Sequence, residues 1–141
     1  MEQNLILKIH FAATFYMIGI IVLIQFIHYP LFVQVGKDSF AKYHSEHMRL
    51  TSIVIAIPML IELITLGTLF YLTPVYRSDW AMLTNAFLLI FIWSVTFFLS
   101  VPQHNILANG FDHQAWKLLV NTNWFRTIAW AARGLIMLRF F

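Results

Sequence analysis

The chain has 141 residues, of which 60% are hydrophobic and only 11% are charged, and its mean hydropathy is +0.75. Soluble proteins carry about a quarter charged residues, so this composition excludes an ordinary soluble domain and indicates a lipid bilayer as the surroundings. The net charge is +3 without any run of basic residues, which argues against nucleic acid as a partner, and the absence of cysteine excludes disulfides and Cys-ligated metal centres. Because a span needs about 20 apolar residues, the length predicts one transmembrane domain, residues 1–141, with four spans.

The first predicted span covers residues 5–29 and ends before Pro30. A polar stretch with helical character follows, and Asp38 or Ser39 is its expected N-cap. We expect this amphipathic segment to run without a break into the second span, residues 50–71. The sequence therefore predicts a long second helix with a polar beginning.

The second half of the chain repeats this arrangement. Trp80, an aromatic residue of the kind found at membrane interfaces, begins the third span, residues 80–101. After Pro102, a turn that contains glycine is expected, and Asp112 is the N-cap candidate for another amphipathic helix leading into the fourth span, residues 121–141. The predicted fold is thus all-α, an integral membrane four-helix bundle with an amphipathic helical segment before the second and the fourth spans.

The distribution of basic residues favours one orientation of this bundle. Both long connections, residues 30–50 and 102–120, lie on one side of the predicted membrane, which we name side B. The two termini and the turn at Arg77 lie on the opposite side, side A. Side B carries five basic residues and side A carries three, with Arg133 deeper in the membrane. The positive-inside rule therefore favours side B in the cytoplasm.

Each predicted span carries its polar side chains on a single stripe. Positions 18 residues apart share a helix face because 18 residues make about five turns. Four such stripes indicate a bundle with a polar interior and an apolar surface that contacts lipid. In chain order, the stripes are His10, Thr14, Met17, Ile21, Gln25 and His28; His44, His47, Thr51, Pro58 and Glu62; Asn85, Trp93, Thr96, Ser100 and Gln103; and Asn123, Arg126, Trp130, Arg133 and Met137.

Glu62 and Arg133 are ionisable residues that lie deep in predicted spans. Each lies 12 residues into a span that starts on side B, at a depth of about 18 Å for a rise of about 1.5 Å per residue. Since a charge at the bilayer centre costs about 3 kcal/mol or more, we expect the two side chains to face each other or a shared ligand. A purely structural ion pair and an uncharged Glu62 are the alternatives.

Histidines concentrate at the side-B ends of the spans. His28 ends the first span, His44 and His47 precede the second with i,i+3 spacing, and His104 follows the third. Three or four imidazoles from these positions would suit zinc, copper or iron. Haem held by two of the histidines, or a plain interfacial or hydrogen-bonding role, are the alternatives.

The polar residues together define a candidate site with separate roles. Trp93, Trp124 and Trp130 are candidates for the wall of a pocket for a flat hydrophobic ligand, with ordinary packing as the alternative. The predicted metal ligands are His28, His44, His47 and His104, and the predicted cofactor-binding and supporting residues are Gln103, Asn123 and Trp130. Glu62 is the predicted general base or buried acid. Arg126 and Arg133 are the predicted catalytic residues that would hold an anionic group.

Several short blocks along nearly the whole chain carry a family resemblance. They are His28-Tyr29-Pro30-Leu31-Phe32; Phe40 with Tyr43-His44 and Arg49; Pro58-Met59 with Glu62-Leu63; Pro102 with His104 and Leu107; Gly110-Phe111-Asp112; and Thr122-Asn123-Trp124 with Arg126-Thr127, Ala129-Trp130 and Arg133-Gly134. In these blocks the chain resembles small bacterial four-span membrane proteins distantly related to the anthrone-oxygenase-like group. The resemblance implies a four-helix membrane fold, a bacterial inner membrane and an oxygenase acting on a polycyclic phenolic substrate.

The sequence thus leads to one hypothesis and two alternatives. The hypothesis is a metal-dependent membrane oxidoreductase that acts on a small lipophilic or aromatic molecule. The first alternative is a binding or transport module for protons or a small solute, with Glu62 as the titrating group. The second is an accessory subunit of a membrane complex. A homo-oligomer is compatible with all three.

Overall fold

The computed structural model describes residues 2–141, and the regular secondary structure of that part of the chain is helical. Helix α1, Glu2–Leu23, passes into a π-helical turn, Ile24–His28, and then into a 3-10 turn, Pro30–Gln34. Helix α2, Lys37–Leu72, is one unbroken helix of 36 residues. The predicted run of the amphipathic segment into the second span is therefore confirmed.

The second half contains one interrupted helical segment and one long helix. Helix α3, a second π-helical turn and helix α4 follow one another directly and form a single rod of helical residues. The elements are α3, Trp80–Val95; the π-helical turn, Thr96–Ser100; α4, Val101–Leu107; α5, His113–Met137; and two 3-10 turns, Pro74–Arg77 and Leu138–Phe140.

Two of the predicted helix starts have different outcomes. Asp112 caps α5, because its side chain accepts a hydrogen bond of 2.7 Å from the backbone N–H of Ala115, and that prediction is confirmed. The prediction of Asp38 or Ser39 as the cap of α2 is wrong. The helix already begins at Lys37, after an extended Gly36, and the backbone carbonyl of Gly36 accepts from the N–H of Ser39.

Helical structure continues to Leu107, past residue 101, at which the predicted third span ends. In the π-helical turn the N–H of Val101 bonds to the carbonyl of Thr96, five residues back. Pro102 then lies in the first turn of α4, where a residue without an N–H fits. The turn Ile24–His28 precedes Pro30 in the same way. Each π-helical turn thus allows the chain to remain helical up to or past a proline.

Three helical segments are long and apolar enough to cross a membrane: Gln3–Gln34, Lys37–Leu72 and Trp80–Leu107. Helix α5 is not among them, and it carries Lys117, Arg126 and Arg133 along its length. Large apolar side chains cover the outside of the bundle, with Phe98 77% exposed and Leu135 71% exposed, as expected for a surface that contacts lipid. That α5 forms a fourth span stays a prediction.

The helices pack as an incomplete ring. Helix α2 packs against α1, α1 against α5, and α5 against α3, whereas α2 and α3 share almost no close backbone contact within residues 2–141. Buried side chains of both helices nonetheless belong to shared clusters, with Leu69 and Met82 in one and Met59 and Ile92 in another, so the ring is open only in part between α2 and the rod formed by α3 and α4. Most of the predicted polar stripes point inward, because His10, Thr14, Glu62, Asn85 and Arg133 are fully buried.

Candidate functional site

The polar interior contains a group of side chains around one buried ion pair, which we name the Glu62 network: His10, Thr14, Glu62, Thr65, Asn85, Trp130 and Arg133. The Glu62 carboxylate accepts from Nη1 of Arg133 at 2.5 Å and from the Thr14 hydroxyl at 2.8 Å. Nε1 of Trp130 donates to its other oxygen at 3.0 Å. The prediction that Glu62 and Arg133 face each other is confirmed.

The remaining donors of Arg133 connect this pair to two more helices. Nε donates to the amide oxygen of Asn85 at 3.1 Å, and Nη2 donates to Nε2 of His10 at 3.3 Å. Because a guanidinium only donates, Nε2 of His10 carries no proton. Nδ1 of His10 therefore donates to the hydroxyl of Thr65, 2.8 Å away, and the hydroxyl of Thr65 donates to the carbonyl of Ile61.

The Glu62 network joins all four long helices, since its members come from α1, α2, α3 and α5. Nearly every polar atom in it has a partner; the side-chain nitrogen of Asn85 is the exception. Neither Glu62 nor Arg133 lines the cavity described below. The contacts of this network favour the structural alternative for the ion pair, and the predicted catalytic roles of Glu62 and Arg133 stay predictions.

The second polar group is the histidine cluster, His28, His44, His47 and His104. The four rings come from the π-helical turn after α1, from α2 and from α4. Nε2 of His28 lies 2.7 Å from Nδ1 of His47, and Nε2 of His44 lies 3.1 Å from Nδ1 of His104. The ring centroids of His47 and His104 are 5.8 Å apart. The structure thus brings together all four predicted ligands, as two adjacent pairs.

Hydroxyl groups orient two of these rings. The Tyr29 hydroxyl lies 3.0 Å from Nε2 of His104, and the Thr51 hydroxyl lies 3.0 Å from Nδ1 of His47. Nδ1 of His44 is buried and has no hydrogen-bond partner within residues 2–141. As the side chains stand, no group of three or more His, Asp or Glu residues in that part of the chain is arranged to hold a metal ion.

Arg126 lies beside the histidine cluster and differs from Arg133 in its partners. Its Nε donates to the amide oxygen of Asn123 at 3.0 Å, and its Nη1 donates to the Thr96 hydroxyl at 3.2 Å. Asn123 in turn donates to the amide oxygen of Gln25 at 2.9 Å. No carboxylate of the described residues forms a salt bridge with Arg126, although this side chain is only 3% exposed.

A cavity of about 300 Å³ lies next to the histidine cluster, at the open side of the bundle; we name it the side cavity. One end of its wall is polar, and the other end consists of small and apolar side chains of α2 and of the segment from Phe97 to Val101. The residues that line it are Tyr29, His47, Met48, Thr51, Ser52, Ile55, Ala56, Met59, Trp93, Thr96, Phe97, Ser100, Val101, His104 and Arg126.

The predicted pocket-wall tryptophans separate in the structure. Trp93 lines the side cavity, whereas Trp130 lies in the core and donates to Glu62. Trp124 is 41% exposed and packs edge-on against Phe26, outside the bundle, so for this residue the packing interpretation applies. Trp124 directly follows Asn123, and neighbouring helical positions are about 100° apart, so one of them faces outward. Gln103 is half-buried and belongs to neither polar group.

Sequence reasoning missed Tyr29 as a partner of His104. Tyr29 lies four residues after Gln25, a spacing that keeps it close to the polar stripe of a regular helix, and the structure adds a π-helical turn, Ile24–His28, directly before it. The proline directly after Tyr29 is a weak signal for such an irregularity. The small residues of the cavity wall, such as Ala56, carry no signal in the sequence.

Comparison of the chain with protein-family models, with curated proteins and with solved structures finds no match.

Proposed function

We propose that this protein is a membrane metalloprotein, in which His28, His44, His47 and His104 bind one transition metal ion that serves oxidoreductase chemistry on a small lipophilic molecule. The observation that carries the metal proposal is the convergence of four imidazoles from three helical segments. The reaction class and the lipophilic substrate follow from the family resemblance of the sequence and from the membrane setting.

The spacing of the imidazole nitrogens supports this proposal. A tetrahedral zinc ion with metal–nitrogen bonds of about 2.0 Å holds its ligand nitrogens about 3.3 Å from one another. The nitrogens of His28 and His47 are 2.7 Å apart, and those of His44 and His104 are 3.1 Å apart. Rotations of the rings about their side-chain bonds would bring the two pairs around one centre, and the proton now shared within each pair would move to a nitrogen that faces away from the metal, so that every ligand stays a neutral imidazole.

The surroundings of the cluster are also suited to a metal site. Metal-binding imidazoles usually bond through their second nitrogen to an oxygen that fixes the ring. The Tyr29 hydroxyl is in place to do this for His104, at the nitrogen opposite the one that faces His44. Thr51 contacts the same nitrogen of His47 that faces His28, so it would have to release that nitrogen on metal binding.

The arrangement favours a single ion over haem. Axial ligands of haem lie on opposite faces of a flat macrocycle, which must pass between them. Here the rings of His28 and His47 have centroids 4.5 Å apart, and those of His44 and His104 are 5.3 Å apart. Because all four rings pack against one another, a macrocycle has no path between them.

Elemental analysis of the purified full-length protein tests this proposal. The protein is purified in detergent through a tag without histidines, because a polyhistidine tag binds metal itself. We expect close to one equivalent of zinc, copper or iron in the unchanged protein, and loss of most of it in the double variant His44→Ala with His47→Ala. A visible spectrum of the same sample distinguishes copper and haem from zinc.

His113→Ala is the matched control, because His113 is exposed and lies outside the cluster. It should retain the metal. Far-UV circular dichroism and size-exclusion chromatography show that each variant is folded. If the folded, unchanged protein contains no metal and takes up none of the three ions, the proposal is wrong.

A further inference from the structure

The side cavity contains a cation without a counter-ion. A guanidinium has five N–H groups. Within residues 2–141, those of Arg126 donate to Asn123 and Thr96, the Tyr29 hydroxyl lies beside them, and the ring of Trp130 lies 5.9 Å from the guanidinium carbon. No carboxylate is among these partners. A buried charge is costly unless an opposite charge or several hydrogen bonds compensate for it. Arg126 is the one Lys, Arg, Asp or Glu residue among those that line the cavity.

Two neutral donors in the same wall also have no partner. Nε1 of Trp93 and the hydroxyl of Ser100 are buried and make no hydrogen bond to any residue that the structure describes. Ser100 is 2% exposed, and both residues line the cavity. Buried donors are rarely left unsatisfied in proteins. The lining of the cavity therefore contains Arg126, which has unused N–H groups, and two buried neutral donors, which would turn toward the cavity to bond a ligand.

Other residues that line the cavity are small or apolar, and they reach the outer surface of the bundle. Ala56 and Ser52 of α2 are exposed, and Phe97 is 57% exposed across the gap from them. This gap is the open side of the ring, where α2 and α3 make almost no backbone contact. Both sides of this gap belong to segments that are long and apolar enough to cross a membrane, so a bilayer around them would place acyl chains at the opening.

We infer that the side cavity binds a single-chain amphiphile with a monoanionic oxygen head, such as a carboxylate, which enters sideways from the bilayer. The head contacts Arg126, with Trp93 and Ser100 as neutral donors, and the apolar chain leaves between Ala56 and Phe97. One guanidinium balances one negative charge, so a monoanion fits better than a phosphate with two charges. A cavity of about 300 Å³ accommodates the head and the start of one chain.

This site does not depend on a metal ion at the histidine cluster. His47 and His104 form part of its wall, so the head of the ligand would lie beside the cluster. The contacts that select the anion come from Arg126 and from the two neutral donors. Binding can thus be measured on protein treated with a chelator, and a failure there is separate from a failure of the metal proposal.

The experiment uses laurate labelled with carbon-13 at its carboxyl group. The full-length, chelator-treated protein is placed in phosphatidylcholine nanodiscs, and carbon-13 NMR follows the carboxyl signal. We expect a separate signal from bound laurate that saturates at one equivalent and is absent from empty discs. Dodecanol labelled at the corresponding carbon should give no such signal, since it has the same chain length without the charge.

Two variants and one matched control locate the site. Arg126→Gln should weaken laurate binding about tenfold or more, because it removes charge-assisted hydrogen bonds. Ala56→Phe should block the opening and weaken binding to a similar extent. Ala131→Phe places the same side chain on an exposed position of α5 away from the cavity, and it should bind laurate like the unchanged protein.

Several results would overturn this inference. One is the absence of saturable laurate binding to the unchanged protein, and another is equal binding of laurate and dodecanol. Unchanged affinity in folded Arg126→Gln would also overturn it. If Arg126→Gln does not fold, Ala56→Phe decides, since its position is exposed and unchanged affinity there would place the ligand elsewhere. A stable dimer in nanodiscs that Ala56→Phe dissociates would show that a second copy covers the opening instead.

Discussion

The two polar regions of the bundle contain similar residues but differ in how completely those residues are paired. In the Glu62 network, Arg133 donates to the carboxylate of Glu62, and both carboxylate oxygens accept hydrogen bonds. In the region around the side cavity, Arg126 contacts neutral oxygens and the ring of Trp130, and the donors of Trp93 and Ser100 have no partner among residues 2–141. The first region is enclosed by four helices, and the second lies at the gap between two of them. The difference indicates that the first holds the helices together and that the second is available to a ligand.

The largest expected effect is the loss of the buried ion pair. Glu62→Ala should destabilise the bundle by about 3–5 kcal/mol, because it leaves the charge of Arg133 buried and uncompensated. The measurement is unfolding in mixed micelles with increasing SDS, followed by circular dichroism. The double variant Glu62→Leu with Arg133→Met should be more stable than Glu62→Ala. Equal stability of Glu62→Ala and the unchanged protein would contradict a holding role for the network.

An intermediate effect should appear when the same substitution is made in both regions. Trp130→Phe removes the donor to Glu62, whereas Trp93→Phe removes an N–H that has no partner. Both variants lose similar volume, so their difference reports the hydrogen bond. We expect Trp130→Phe to be less stable than Trp93→Phe by about 1–3 kcal/mol, since a buried carboxylate loses a donor only in the first case. Equal midpoints in the SDS titration would remove the contrast between the regions.

The smallest effect is expected at Arg126. Arg126→Met should change the stability of the ligand-free protein by less than about 1.5 kcal/mol in either direction, because removal of an uncompensated buried charge offsets the loss of two neutral hydrogen bonds. Its matched comparison is Arg133→Met, which leaves Glu62 without its cation and should be far less stable. If Arg126→Met strongly destabilises the protein in the absence of any ligand, Arg126 belongs to the structural framework instead.

The periodicity of the sequence was enough to predict much of this architecture. The four polar stripes, the continuous second helix and the Asp112 cap depend on local spacing, which a helix of 3.6 residues per turn converts directly into shared faces. The pairing of Glu62 with Arg133 followed from equal depth in two spans. Depth along a helix can be counted from residue numbers, because the rise per residue is constant.

Departures from a regular helix could not be predicted in this way. The π-helical turns at Ile24–His28 and Thr96–Ser100 shift every later side chain on the same helical segment relative to a regular α-helix, and helical structure passes Pro102. Such turns have no sequence signature stronger than a following proline. Trp124 faces outward because it lies one residue after Asn123, which faces inward, and one residue corresponds to about 100° around α5.

The sequence by itself determined that this chain is a bundle of helices apolar enough for a bilayer and that Glu62, Arg126 and Arg133 lie on inward faces, because composition and helical period are properties of the linear chain. Only the tertiary structure decided the other contacts of the polar groups. It joined four histidines as two pairs, added Asn85 and His10 to the partners of Arg133 and left Arg126 facing a cavity. The physical reason is that pairing depends on which helices are neighbours, and the ring of helices remains open between α2 and α3.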